Sequence, residues 1–438
     1  MHRSLFASLA GTAALACGGG GAEHAVRAGA ALELAPSLPA GARCLYVVSG
    51  GDDEQLGVAI AALPDVDGDQ RAELVAGCPA ERADGPAFLG AVRTFSLARG
   101  ARLHSVTSSH PSGTDAFAER LCVLGDVDGD GRSDVAVSAW RALGGRGAVE
   151  VHSGASGARL TRIEGLPADD PGLGASLVAA GDVDGDGRAD VAVGALAGGT
   201  SVFSGRDGVL LARFAGTPIA LTGDLDKDGK HDLLVLDGPP RDAALFASRT
   251  HMTAHVVSIV SGAPLLELIP PGDLVALDAQ GTAGDVDRDG NTDWIAAYQE
   301  RGTGESALVD GPRERLVLVL SGKTGQVLTQ FKLRMTGRGR VHRVTGLGDV
   351  DGDGRSDVFV AWHTEQLTPQ GFAEIHSGVD GALLYALTSP NWSFGMSACA
   401  LPDQNGDGRT DVAIGEHECS ADARRGGRVY VIAFTAQP

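Results

Sequence analysis

The sequence predicts an all-β chain: a seven-bladed β-propeller of four-stranded antiparallel blades, its ring closed by an N-terminal strand. Three observations carry that expectation. One acidic nine-residue pattern recurs seven times. Each copy lies between short apolar runs with strand character. No long stretch shows the 3.6-residue period of a competing helix. Composition fits, because 43% of the 438 residues are hydrophobic, enough for a sizeable core, and 64 glycines against 19 prolines imply frequent tight turns. The balance of 36 Lys+Arg against 56 Asp+Glu gives a formal charge of −20. That argues against nucleic acid or anionic lipid as a partner, since both need a basic surface.

Taken in order, the chain opens with Met1-His2-Arg3 and an apolar, small-residue run from Leu5 to Ala16. A basic start before a short apolar core reads as a secretory signal, too short to anchor as a membrane span. Its end, Ala14-Leu15-Ala16-Cys17, resembles a bacterial lipobox, although Ala and Leu stand where Leu and a small residue are commonest; plain secretion is the alternative. Residues 1–17 are thus expected to be an address, 18–41 a flexible Gly/Ala/Pro-rich tether, and 42–438 the propeller. The folded part is expected to be extracytoplasmic, either secreted or lipid-anchored on a bacterial envelope. Its only contact with a membrane would be a lipid on Cys17.

The loops follow the pattern acid-x-acid-x-acid-Gly-x-x-acid. Five copies are complete: Asp126, Asp128, Asp130, Asp134; Asp182, Asp184, Asp186, Asp190; Asp224, Asp226, Asp228, Asp232; Asp285, Asp287, Asp289, Asp293; and Asp349, Asp351, Asp353, Asp357. Two weaker copies bracket them, Asp65, Asp67, Asp69, Glu73 and Asp403, Asn405, Asp407, Asp411. Successive starts lie 61, 56, 42, 61, 64 and 54 residues apart. Carboxylates at alternate positions of a tight loop converge on one point and suit a hard cation. The seventh-position carbonyls of Arg132, Arg188, Lys230, Asn291, Arg355 and Arg409 are expected to complete a shell of six or seven oxygens, which calcium takes more readily than magnesium. Up to seven Ca²⁺ are expected, with the first site in most doubt because Gln70 replaces the loop glycine. These loops hold 27 of the 56 acids, and fourteen positive charges from seven ions would bring −20 to −6. Metal uptake and folding are therefore expected to be coupled.

An EF-hand needs an acid at its twelfth position, where this chain has Ala76, Val137, Val193, Val235, Ala296, Val360 and Ile414. That reading fails, and so do closely packed thrombospondin-type calcium wires. The framing of each loop repeats as well. A small-residue strand precedes it (Leu173-Gly174-Ala175, Phe394-Gly395-Met396) and an apolar strand follows (Val191-Ala192-Val193-Gly194-Ala195). A third strand ends in Ser-Gly (Val149–Gly154, Ala373–Gly378), and a fourth starts after another glycine (Gly157-Ala158-Arg159-Leu160). On these motifs, residues 42–438 resemble the FG-GAP/VCBS repeat family, whose best-known architecture is the seven-bladed propeller of integrin α chains. The fourth and fifth repeats (Thr217-Pro218-Ile219, Asp278-Ala279-Gln280) lack a clear Phe-Gly. Only two strands follow the seventh loop, and Gly41–Val48 matches a fourth-strand start. Residues 42–49 are therefore expected to close the last blade, which hides an edge.

Strand alternation puts the loops at one end of the ring. The variable second-to-third connections then lie at the other: 141–147, 237–254, 299–315, 364–371 and 419–427. Trp140, Tyr298, Trp362, His363, Trp392, Glu416 and His417 either rim a binding surface there or plug the blade ends. A protein or glycan ligand would bind at that end. Catalytic signatures are missing: there is no G-x-S-x-G, H-E-x-x-H or P-loop sequence. His251 and His255 are four apart but lie in a loop or strand start rather than on a helix face, and His152 and His376 occupy equivalent, structural-looking places. Cys44, Cys78, Cys122, Cys399 and Cys419 remain after Cys17, with Cys122 and Cys399 expected as core fillers and any bridge unassigned. The reading is a non-catalytic, calcium-binding adhesion or structural module, expected as a monomer. A polysaccharide lyase or hydrolase, or a lectin, on the same scaffold is the alternative.

Overall fold

Seven sheets radiate from a common axis in the computed structural model, which describes residues 26–28, 36–80, 89–109, 115–165, 171–238, 253–271, 274–300, 314–335, 339–364, 370–420 and 423–435. Blade 1 comprises Ile60–Leu63, Glu73–Cys78, Ala91–Ser96 and Ala101–Thr107. Blade 2 comprises Phe117–Val123, Val135–Ala139, Ala148–His152 and Arg159–Glu164. Blades 3 to 6 repeat the order, from Ser176–Gly181, Thr217–Leu221, Leu274–Gly284 and Gly339–Gly348 as their innermost strands. The innermost strands touch in an unbroken circle from blade 1 round to blade 7 and back. The helical piece among the described residues is one turn, Ala142–Gly145.

Blade 7 contains Phe394–Leu401, Asp411–Glu416 and Arg428–Phe434, and its fourth strand is Ala42–Ser49 from the other end of the chain. The pairing runs antiparallel from Ala42 opposite Phe434 to Ser49 opposite Arg428, so the expected closure holds. Val26–Ala28, inside the stretch read as a tether, adds a fifth strand to the outside of Ala42–Ser49. Ser37 forms an isolated bridge to Thr388. The signal, Cys17 and most of the tether lie outside the described residues.

Sequence chemistry explains the layering. Second strands such as Glu73–Cys78 and Val135–Ala139 are buried at every position, which is why they read as continuous apolar runs rather than alternating ones. Fourth strands alternate, as in Leu210–Ala215, because one face meets solvent. The core is divided accordingly. Seven apolar clusters each fill the space between neighbouring blades, for instance Phe359, Ile375 and Tyr385 of blade 6 against Phe394, Ile414 and Tyr430 of blade 7.

One device recurs in all seven blades. The third-to-fourth pairing slips by one residue near the start of the fourth strand. The extra residue is Leu103, Leu160, Leu211, Leu265, Leu328, Leu384 and, in the closing strand, Leu45. A bulge of this kind bends the strand and increases its twist. Its presence at Leu45 shows that the N-terminal strand is a true fourth strand. The Phe-Gly turn is also more widespread than the sequence suggested. In the fourth repeat it falls at Ala215-Gly216, just before Thr217, with Gly216 at φ +97.

Candidate metal centres

Each acidic loop joins the first and second strands of a blade, so all seven lie at one end of the ring. Their internal hydrogen bonding is the same. The sixth-position N–H donates to the first acid at 2.7–3.0 Å in every loop, from Gln70 to Asp65 through Gly408 to Asp403. The fifth-position N–H donates to the third side chain at 2.9–3.2 Å. The seventh donates to the fifth at 2.7–3.0 Å. The sixth residue needs the left-handed region, and Gln70 takes it at φ +66 where glycine stands elsewhere. The first loop therefore keeps the common conformation despite its substitution, at some cost in strain. The seventh loop does the same through the Asn405 side-chain oxygen. The fourth position is left-handed too; glycine fills it in five loops, and Lys227 and Arg288 adopt it at φ +62 in the other two.

The ninth acid is the buried member. Glu73, Asp134, Asp190, Asp232, Asp293, Asp357 and Asp411 are each at most 1% exposed. One oxygen of each accepts the second-position N–H at 2.6–3.0 Å. In four blades the other oxygen accepts the N–H of the Ser-Gly glycine at the end of the third strand: Gly154, Gly205, Gly322 and Gly378, at 3.0–3.3 Å. A Cβ on any of those glycines would collide with the carbonyl oxygen of the loop's eighth residue. The Ser-Gly signature is therefore the close approach that ties a loop to its own blade. Asp411 has no such partner, and its Oδ1 is buried with no hydrogen bond.

Burial, then repulsion from neighbouring aspartates, pushes these ninth carboxyls up. Asp134 and Asp232 rise to about 6, and Glu73, Asp293, Asp357 and Asp411 to about 7. Asp190 moves the same way. At the first position, burial raises Asp65 and Asp403, but the backbone N–H groups they accept leave both below the usual range. A positive partner at such a site would bring these carboxyls back down.

The donor set fits a hard cation. Carboxylate oxygens lie within 4.8 Å of one another in Asp65, Asp67, Asp69 and Glu73. The same holds for Asp126, Asp128 and Asp134; Asp182, Asp184 and Asp190; Asp224, Asp226 and Asp232; and Asp285, Asp287 and Asp289. That span is about twice a calcium–oxygen bond of about 2.4 Å. Asp130, Asp186 and Asp228 fall outside these groups, as does Asp293, whereas the fifth-position acids Asp69 and Asp289 lie within theirs. The seventh side chains do something the sequence did not suggest. Arg188, Lys230, Arg355 and Arg409 reach across to the preceding loop.

At the opposite end the aromatic set divides. Tyr298 and Trp362 are 4% exposed and Glu416 is 1% exposed, so these plug blade ends. Glu416 accepts hydrogen bonds from Ser389 and Tyr430. Trp140, His363, Trp392 and His417 are half-buried. Three of them form a chain of edge contacts, with Trp392 5.5 Å from His363 and 6.0 Å from His417. His342 joins it, its Nδ1 3.3 Å from that of His363. Arg141 covers the Trp140 ring at 4.2 Å. His152 and His376 are structural, each bound to a glutamate two residues earlier and to a turn carbonyl. His255 pairs with Asp237 at 2.8 Å; His251 and most of the long connections lie outside the described residues. Among the described residues no disulfide joins Cys44, Cys78, Cys122, Cys399 and Cys419, and burial pushes Cys122 and Cys399 up to about 12.

A ring of seven blades with an acidic loop at the tip of every first hairpin defines a class: an all-β propeller whose acidic clusters can hold metal ions. Known proteins place it further. Residues 126–193 match the FG-GAP-like repeat family. Human integrin alpha-IIb is 37% identical over 146 residues, 31% of this chain and 14% of the integrin. The shared part is thus a small fraction of the integrin's length.

Proposed function

We propose that this protein is a non-catalytic, calcium-stabilised FG-GAP propeller working outside the cytoplasm as a binding, adhesion or structural module. The observation that carries the reading is the sevenfold repetition of one cage, each with a buried ninth acid pushed up by its surroundings. Calcium supplies charge neutralisation and a rigid oxygen shell. Asp134 and its counterparts pass that rigidity to the blade through the Ser-Gly glycines. A protein or glycan ligand would dock at the opposite end, around Trp140, His363, Trp392 and His417, on a frame held still by the ions. The N-terminal signal and Cys17 would deliver it to a bacterial envelope. Among the described residues no helix is long and apolar enough to cross a membrane.

Chelation tests this reading. A site loaded to tenfold its dissociation constant contributes about 1.4 kcal/mol. Seven such sites amount to about 10 kcal/mol, and a chain of this size shifts its Tm by about 1 °C per kcal/mol. Chelator should lower the Tm by about 10 °C, and readdition of Ca²⁺ should restore it. A fall of less than about 3 °C would contradict the proposal. A glycan and cell-surface binding screen, with and without calcium, tests the ligand face; turnover of any glycan would replace the binding reading with an enzymatic one.

A further inference from the structure

The cages are not isolated. The Arg188 guanidinium of the third loop lies 3.5 Å from Asp126, the first acid of the second loop. Lys230 of the fourth donates to the Asp182 carbonyl of the third. Arg355 of the sixth donates to the Val286 carbonyl of the fifth at 2.8 Å, and Arg409 of the seventh reaches the Val350 carbonyl of the sixth at 3.5 Å. Main-chain bonds run the same way, from Ala189 to the Asp126 carbonyl at 3.1 Å and from Thr410 to the Asp349 carbonyl at 2.9 Å. Arg288 returns the link from the fifth loop, donating to the Gly354 carbonyl at 2.7 Å and the Asp353 carbonyl at 3.1 Å.

Three junctions lack the cationic contact. Asn291 stands at the seventh position of the fifth loop and turns onto its own Asp289 at 2.8 Å. Among the described residues, Arg132 of the second loop makes no side-chain polar contact with the first, nor Arg71 of the first with the seventh. Six of the loops therefore fall into two linked arcs, the second to fourth and the fifth to seventh.

Resting on the calcium reading above, we propose that these seventh-position cations are positioning residues that couple the ions within each arc. Most of them grip the entry carbonyls of the preceding loop rather than its carboxylates, so they act as struts more than as competitors for the site. When an ion ligates the carbonyl of residue 188 or 230, the base of that side chain is held still. The long, rotamer-rich chain then loses less entropy in bracing its neighbour, whose ion binds with less ordering left to do. Uptake is cooperative along an arc and independent between arcs.

The test is a calcium titration of the full chain after chelation, read by calorimetry and by a competing dye, for wild type, Arg188→Met/Lys230→Met and Arg132→Met. Wild type and Arg132→Met should show a Hill coefficient above 1. The double variant should keep its stoichiometry but bind with a shallower isotherm, with about fivefold weaker half-saturation in the affected arc. Arg188→Lys/Lys230→Arg should restore the steepness, which a role in folding alone would not predict. Isotherms that superimpose for wild type and the double variant, or a wild type with independent sites, overturn the coupling while leaving the calcium reading intact. A chain that takes up no calcium overturns the calcium reading itself.

Discussion

Removing a ninth acid separates a structural role from a role as a ligand, and Asp293→Ala is the stringent case, because Asp293 lies outside the group formed by Asp285, Asp287 and Asp289. Asp293 is fully buried, and its two oxygens accept Val286 N–H at 2.7 Å and Gly322 N–H at 3.0 Å. Alanine leaves both donors buried without an acceptor, at about 1–3 kcal/mol each. Against this, burial and the nearby aspartates raise the Asp293 carboxyl from 3.8 to about 7. Keeping it ionised at pH 8 without metal therefore costs on the order of 4 kcal/mol, and alanine recovers that cost. In chelator the two effects nearly cancel, so the Tm should move by no more than about 2 °C. With calcium bound, the ion already offsets the charge and nothing is recovered. The lost hydrogen bonds then appear in full together with the ion's own contribution, about 3–7 kcal/mol in all, or several degrees. Differential scanning calorimetry of both proteins in calcium and in chelator measures the contrast. Equal shifts in the two conditions would show that Asp293 serves the fold alone and is no part of a cation site.

Three further outcomes follow from the same geometry. Without metal, the ninth carboxyls bind protons more tightly in the folded than in the unfolded chain. Stability should therefore fall as pH rises from about 4 to about 7 and flatten above that; calcium should remove the slope, and Tm against pH in both conditions checks it. Gly154→Ala should cost about 1–3 kcal/mol by denaturant titration, because the new Cβ meets the Ser133 carbonyl; a neutral result would separate the Ser-Gly turn from the loop. Deleting residues 42–49 strips Arg428–Phe434 of its outer partner strand and removes the buried Leu45, Val47 and Val48. The product should melt at least 10 °C lower or aggregate through the opened edge, and an unchanged melting temperature would refute ring closure as a source of stability.

The candidate cation sites were legible in the sequence because their acids are local. Nine consecutive residues contain them, and a tight loop brings the first and third acids together with the ninth, as in Asp126, Asp128 and Asp134, or with the fifth, as in Asp285, Asp287 and Asp289. The closing strand was legible for a related reason, since Gly41–Val48 carries the same opening residues as the fourth strands it joins. The Gln70 substitution was harder to judge, because the sequence shows the missing glycine but not whether the chain accepts the strained φ. The split at the opposite end follows strand alternation: Tyr298, Trp362 and Glu416, five residues past the ninth acid, are buried, whereas Trp140, His363 and His417, six past it, are half-buried.

By itself, then, the sequence determined the repeat, the all-β blades and the identity of the acidic cages, each written within a short stretch of chain. The tertiary structure decided which glycine clamps the ninth acid, which leucine bulges every outer strand, and which loop each seventh-position cation braces. Those partners lie in separate strands or separate blades, and only the closed ring sets the distance between them.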